Sequence, residues 1–198
     1  MEALHPAIRS REVDNGNGLL MHLMEVGFEE PARPLVLLLH GCPELAYSWR
    51  NVMLPLADAG YHVVAPDQRG YGRTTGWNSD YNGDLAPFAI GNLVRDVLVL
   101  VWALGRRHVL AVVGHDFGSP VAAYCALMRP DVFRSVVMMS APFAGPPPPT
   151  AMLEGINPLC DGEAVQSEPE IHCALAVLAV SYTHLRAHET EADLVCRH

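Results

Sequence analysis

Lysine is absent from this 198-residue chain. All 13 basic residues are arginines, set against 22 acidic ones, for a net charge of −9. That balance excludes the broad basic face needed by a nucleic-acid backbone or an anionic membrane, so neither is an expected partner. Long hydrophobic runs are missing too. The longest, "VLVLVWAL" at 97–104, falls far short of the roughly 20 residues of a membrane-spanning helix. The opening "MEALHPAIRSRE" has no apolar signal segment. Paired cysteines are also lacking. The five, at 42, 125, 160, 173 and 196, are odd in number and share no short spacing, which reads as free thiols in a reducing compartment. A cytoplasmic location is therefore expected.

What is present is apolar enough to build a core. Half the residues are hydrophobic and 18% are charged, the composition of a globular chain of about one domain. "LLMHLMEV" at 19–26, behind "DNGNG", suggests an early antiparallel strand. "PLVLLLH", "YHVVAPD", "HVLAVVG" and "SVVMMSAP" are short continuous apolar runs, the pattern of parallel strands buried on both faces. Between them lie helical stretches: one carrying Trp49, Val52, Met53 and Leu56, one at 87–105, and one at 117–128. Pro55 should bend or shorten the first. Strands alternating with helices predict the α/β class with a mostly parallel sheet and flanking helices.

In "VVGHDFGS" an aspartate, Asp116, stands two residues from each of Gly114 and Gly118, where an apolar strand gives way to a helix. In open parallel sheets chemistry collects at the C-terminal ends of strands. A tight strand-to-helix turn leaves no room for Cβ atoms at the flanking positions and projects its middle side chain outward. The plainer alternative is an N-cap, where aspartate is also favoured.

The pattern widens with "HGCPELAYSWRNVMLPLADAGYHVVAPDQRGYGRT" upstream. Three motifs stand in order: H-G-x-P at 40–43, P-D-x-R-G-x-G-x-T at 66–74, and the G-x-D-x-G corner at 114–118. Together they resemble the α/β-hydrolase fold, in its epoxide hydrolase and haloalkane dehalogenase branch, over roughly residues 10 to 175. The resemblance implies that Asp116 is a nucleophile, and that the backbone N–H groups of Cys42 and Phe117 form an oxyanion hole. It implies that His40, Gly41 and Pro43 shape the loop carrying Cys42, with His40 not a base, and that Gly114 and Gly118 permit the turn. Arg69, Gly70 and Gly72 are expected to be structural, His115 to pack beneath the corner, Met138 and Met139 to lie in the core, and Tyr47 and Trp49 to pack helix against loop.

Members of the dehalogenase branch commonly carry Asn or Trp after the first H-G and Trp after the nucleophile, as halide donors. Cys42 and Phe117 offer no side-chain N–H there. The fluoroacetate type expects an arginine after the aspartate. The resemblance thus favours an epoxide hydrolase acting on a small apolar epoxide through a covalent alkyl ester, without metal or cofactor. A haloalkane or haloacid dehalogenase is the alternative, and a non-catalytic binding protein a second.

The family's late histidine, its orienting acid and its cap tyrosines have no match here. Beyond "SVVMMSAP" the next acid is Glu154. His184 and His188, four apart with Glu189 and Cys196 nearby, have a zinc-like spacing, but only a short unsupported tail carries them. The expected organisation is an N-terminal hydrolase core at 1–145, the start of a helical cap at 146–180 with an apolar helix near 171–180, and a tail at 181–198. That tail, "SYTHLRAHETEADLVCRH", follows no strand, cap or turn logic and resembles translated sequencing-adapter sequence, so the chain is expected to be an inactive fragment. The strand at 135–142 is then expected to be an unpaired apolar edge, prone to aggregation. Oligomeric state is not legible.

Overall fold

A computed structural model describes residues 4–141 together with the backbone of 175–180 and 192–196. Its strands are β1 (Arg9–Asp14), β2 (Leu20–Val26), β3 (Leu35–Leu39), β4 (His62–Pro66), β5 (Ala111–His115), β6 (Val136–Met139), β7 (Leu175–Val180) and β8 (Ala192–Cys196). They form one sheet in the order β1-β2-β4-β3-β5-β6-β7-β8. From β4 through β7 every neighbouring pair is parallel, while β1–β2, β2–β4 and β7–β8 are antiparallel. Helices α1 (Arg50–Asp58), α2 (Ile90–Ala103) and α3 (Gly118–Met128) flank the sheet.

The period of two along a strand divides the core. Leu35, Leu37 and Leu39 of β3 pack into one cluster with Leu93, Val97 and Leu100 of α2 and with Val121 and Ala122 of α3. Val36 and Leu38 point the other way, into a second cluster with Met53 and Ala57 of α1. A strand covered on both faces must be apolar at every position, which is why β3 reads as an unbroken hydrophobic run. Pro55 sits inside α1, which spans only nine residues.

Four features depart from expectation. β1 has no apolar alternation, because only Val13 of its six residues is buried. It is a strand because β2 offers it six paired positions. Residues 175–180 are a strand rather than part of a helix. "LAVLAV" is a short apolar run whose periodicity fits either element, and the free edge of β6 decides. β6 is therefore not an unpaired edge: Val136 to Met139 pair with Leu175 to Leu178. The closing block also contributes a strand, β8, antiparallel to β7. Glu154 and the histidines at 172, 184, 188 and 198 lie outside the described residues. No described helix is long and apolar enough to cross a membrane.

Candidate active site

β5 ends at the corner that the sequence singles out. Asp116 has a φ of 48°, the left-handed region that side-chain-bearing residues rarely adopt. Sterics impose this turn. A Cβ on Gly114 would overlap the backbone of Gly118 and Ser119, and one on Gly118 would overlap the carbonyls of Leu39 and His40 at the end of β3. The corner is tied to the next strand, since Asp116 N–H donates to the Met139 carbonyl at 2.9 Å. Ser119 reinforces it: the hydroxyl lies 2.8 Å from the carbonyls of Gly114 and Met139 and accepts the Met139 N–H at 3.1 Å. Strain is thus stored at one residue and held by its surroundings.

The carboxylate held there is stabilised in its ionised form. Cys42 N–H donates to Asp116 Oδ2 at 2.9 Å. That bond, followed by one from the Phe117 N–H, holds the carboxyl below the usual aspartate range. The start of α3 just beyond adds its positive end. Gly41 lets the loop approach: a Cβ there would lie 2.6 Å from Asp116 Cβ and 2.9 Å from Oδ2. So Asp116, Cys42, Phe117, Gly41, Gly114 and Gly118 converge on one point.

His40 is part of the frame around it. Its Nδ1 donates to the Gly41 carbonyl at 2.9 Å, and its Nε2 accepts the Gln68 N–H at 3.0 Å. Gln68 returns a bond to the His40 carbonyl at 2.6 Å. Both ring nitrogens are committed, the side chain is fully buried, and burial lowers its pKa, so the ring is neutral and unavailable as a base. Pro43 follows Cys42 through a cis peptide bond.

The 66–74 motif has its own physical content. Burial pushes the Asp67 carboxyl up, but hydrogen bonds from His22 and from the N–H groups of Arg73 and Ala46 outweigh it and hold the group below the usual range. Gly72, at φ 54°, lies where a Cβ would collide with that carboxylate. Arg69 forms a two-pronged ion pair with buried Asp96, at 2.7 and 2.8 Å. Asp67 ties the loop beneath Ala46, and through it the segment leading from Cys42 into α1, with Ala46 N–H donating at 2.8 Å.

Several site residues were not singled out from sequence. Tyr71 packs edge-on against His40 at 4.9 Å between ring centres. Its phenol is pushed up to about 12 by burial and by its hydrogen bond with the Cys42 thiol. Glu44 meets His115, with Nδ1 and Oε2 3.0 Å apart. His115 is thus half-buried beside a cavity rather than packed beneath the corner. That cavity, about 270 Å³, is bordered by Glu44, Trp49, Val52, His115, Met139 and Ser140. On the other side of the corner, Tyr71, Trp77, Phe88, Leu93 and the half-exposed Phe117 border an aromatic pocket of about 250 Å³. The spacing G-Y-G within the second motif was the available signal for Tyr71. Nothing local pairs residue 44 with residue 115. Met138 is in the core, and Met139 packs against the α1-side cluster while also bordering the first cavity.

The sequence profile of a family described as alpha/beta hydrolase fold matches residues 34–157. The chain belongs to that family. This α/β hydrolase is 40% identical over 143 residues to epoxide hydrolase 3 of Siraitia grosvenorii, covering 72% of this chain and 42% of that protein. It is 45% identical over 131 residues to epoxide hydrolase B of Mycobacterium tuberculosis, covering 66% and 35%. Among solved structures, potato epoxide hydrolase I superposes with a TM-score of 0.63 at 41% identity, over 75% of this chain and 46% of that one. An epoxide hydrolase from an endophytic Streptomyces gives 0.63 at 41%, over 77% and 44%. The hydrolase is epoxide hydrolase-like, and it spans less than half the length of these relatives.

Proposed function

We propose that this α/β hydrolase attacks small apolar epoxides with Asp116 as nucleophile. The observation that carries the reading is a carboxylate at a strained corner, cradled by two backbone N–H groups. Cys42 anchors Oδ2, which leaves Oδ1 to approach an epoxide carbon. Oδ1 forms the new C–O bond as the ring C–O bond breaks, and the ring oxygen leaves with the electron pair and takes up a proton. The product is an alkyl ester whose carbonyl oxygen, Oδ2, is already in place against the Cys42 N–H. Water attack on that ester makes a tetrahedral oxyanion for the Cys42 and Phe117 N–H groups to stabilise. The aromatic pocket beside Phe117 supports an apolar substituent on the epoxide.

Ester cleavage needs a base and an orienting acid. Among the described residues His40 has both ring nitrogens committed and His115 meets Glu44, so the reading for these residues is alkylation of Asp116 rather than sustained turnover. The test is to incubate the chain with styrene oxide and locate the adduct by mass spectrometry. One equivalent on Asp116, absent from Asp116→Asn, is the expected result. An equal adduct in Asp116→Asn would end the nucleophile assignment. Diol accumulating over many turnovers would show the machinery to be complete. Halide release from a haloalkane, at a rate matching or exceeding epoxide alkylation, would favour the dehalogenase reading.

A further inference from the structure

A hydroxyl–imidazole–carboxylate chain lies across the sheet from the Asp116 corner, the elbow between β5 and α3. Ser10, on β1, places its Oγ 2.8 Å from His22 Nε2, and His22 Nδ1 lies 2.8 Å from Asp67 Oδ2. Ser10 is exposed, whereas His22 is 8% and Asp67 2% exposed. In strand order β1 is separated from β5 by β2, β4 and β3, so Ser10 stands about 19 Å from the elbow across the sheet at ordinary strand spacing, while Asp67, just past β4, is two strands away.

Hydrogen-bond roles along the chain are fixed by elimination. Asp67 is ionised: besides His22 it accepts the N–H groups of Ala46 at 2.8 Å and Arg73 at 3.0 Å. An ionised carboxylate only accepts, so His22 Nδ1 carries the hydrogen. In the neutral ring Nε2 is then an acceptor, and the Ser10 hydroxyl donates to it. This is the tautomer that lets an imidazole take a proton from a serine while a buried carboxylate stabilises the resulting cation. The ring is further fixed by its backbone. His22 N–H donates to Thr74 Oγ1 at 3.1 Å, and Asp67 N–H donates to the His22 carbonyl at 2.8 Å.

We propose that Ser10 is a second nucleophile, with His22 as its base and Asp67 as a positioning residue, and that it takes acyl groups from activated aryl esters. Attack forms a bond from Ser10 Oγ to the acyl carbon. The bond from that carbon to the aryl oxygen breaks, the phenolate leaves with the electron pair, and the serine proton passes to His22 Nε2. The product is an O-acyl serine on the outer strand of the sheet. The elbow plays no part, so the assignment stands or falls independently of Asp116.

The absence of lysine makes the test clean, since no side-chain amine competes for the label. The full chain in the Asp116→Asn background, its thiols first alkylated, is treated with p-nitrophenyl acetate and mapped by mass spectrometry. Exposed Ser79 serves as the internal reference. Acetylation of Ser10 at least about a hundredfold faster than of Ser79 is expected, the low end of what a positioned base supplies. Ser10→Ala removes the adduct. His22→Gln, where its far-UV spectrum and melt show a folded protein, brings Ser10 down to the rate of Ser79. Equal labelling of Ser10 and Ser79 overturns the proposal whatever happens to the His22 variant. Undiminished labelling in folded His22→Gln overturns the role of the imidazole.

Discussion

Asp67 and Asp116 are the same residue type at the same topological level, each just past the C-terminal end of a parallel strand, yet they sit in opposite settings. Both accept backbone N–H bonds and both are held below the usual aspartate range. Asp67 is 2% exposed, accepts two backbone N–H groups plus His22, and closes the loop beneath Ala46. Asp116 is half-buried and sits at a φ of 48°, with its neighbours His115 and Phe117 each bordering a cavity. A carboxylate whose acceptor sites are filled and enclosed is a structural tie. One held by two donors and left open is, in the proposed function, the reagent. Access and backbone strain, more than charge, separate the two.

Exchanging the residues should expose that difference. Asp67→Ala leaves the N–H groups of Ala46 and Arg73 and the ring of His22 without their buried acceptor. It is expected to lower the stability of the fold by about 3 kcal/mol, read as a shift in the urea midpoint. Asp116→Asn should change stability by no more than about 0.5 kcal/mol, because asparagine tolerates the left-handed region, while abolishing alkylation. If the two substitutions lowered the midpoint equally, the distinction between tie and reagent would fail.

The glycines that guard the two carboxylates sharpen the same contrast. A Cβ at Gly72 meets the enclosed carboxylate of Asp67 at a positive φ, and neither side has room to move. Gly72→Ala is therefore expected to cost about 2 kcal/mol or more. A Cβ at Gly41 meets Asp116 Cβ at 2.6 Å, which rotation of the carboxylate does not relieve, but Gly41 carries no positive φ. Gly41→Ala should lose less stability than Gly72→Ala, yet slow alkylation by at least about tenfold, since it displaces the attacking group from its cradle.

How much of this was legible beforehand follows from what each feature depends on. β3, β4 and β5 were readable because two-faced burial demands unbroken apolar runs. The corner was readable because Gly114 and Gly118 are required by backbone overlap, a local cause with a local signature. β1 was not, since its six polar-rich residues are recruited by β2 rather than by their own pattern. β7 was misread as helical because "LAVLAV" suits either element until an open strand edge selects one. In the site, the Glu44–His115 pair and the Ser10–His22–Asp67 chain join residues 71 and up to 57 positions apart, and no spacing rule reaches that far. Gln68 was overlooked for another reason: its role is to fix His40, and only the folded backbone brings the two together.

Acid should produce the smallest and most graded difference. For a carboxyl whose pKa is depressed on folding, the unfolded chain binds more protons at low pH, so the stabilisation is fully present above the unfolded value and is lost as pH falls through the folded one. Glu25 sets the clearest window. Burial raises its pKa, but bonds from His62, Arg11 and Arg9 outweigh this and bring it from 4.5 to about 2. Its contribution should be intact above pH 4.5 and decline as pH falls toward 2. Asp67 and Asp116 join below 3.8, the ordinary aspartate value, with the same sign. Asp116 is half-buried whereas Asp67 is enclosed, so solvent screens the elbow carboxylate more and Asp67 is expected to carry the larger aspartate share of this acid limb. Urea midpoints measured from pH 6 down to pH 2 should therefore fall nearly in parallel for the wild type and Asp116→Asn. Asp67→Asn should start lower and fall less steeply. A limb flattened by Asp116→Asn instead would mean that the elbow carboxylate, and not the enclosed one, is the acid-labile tie.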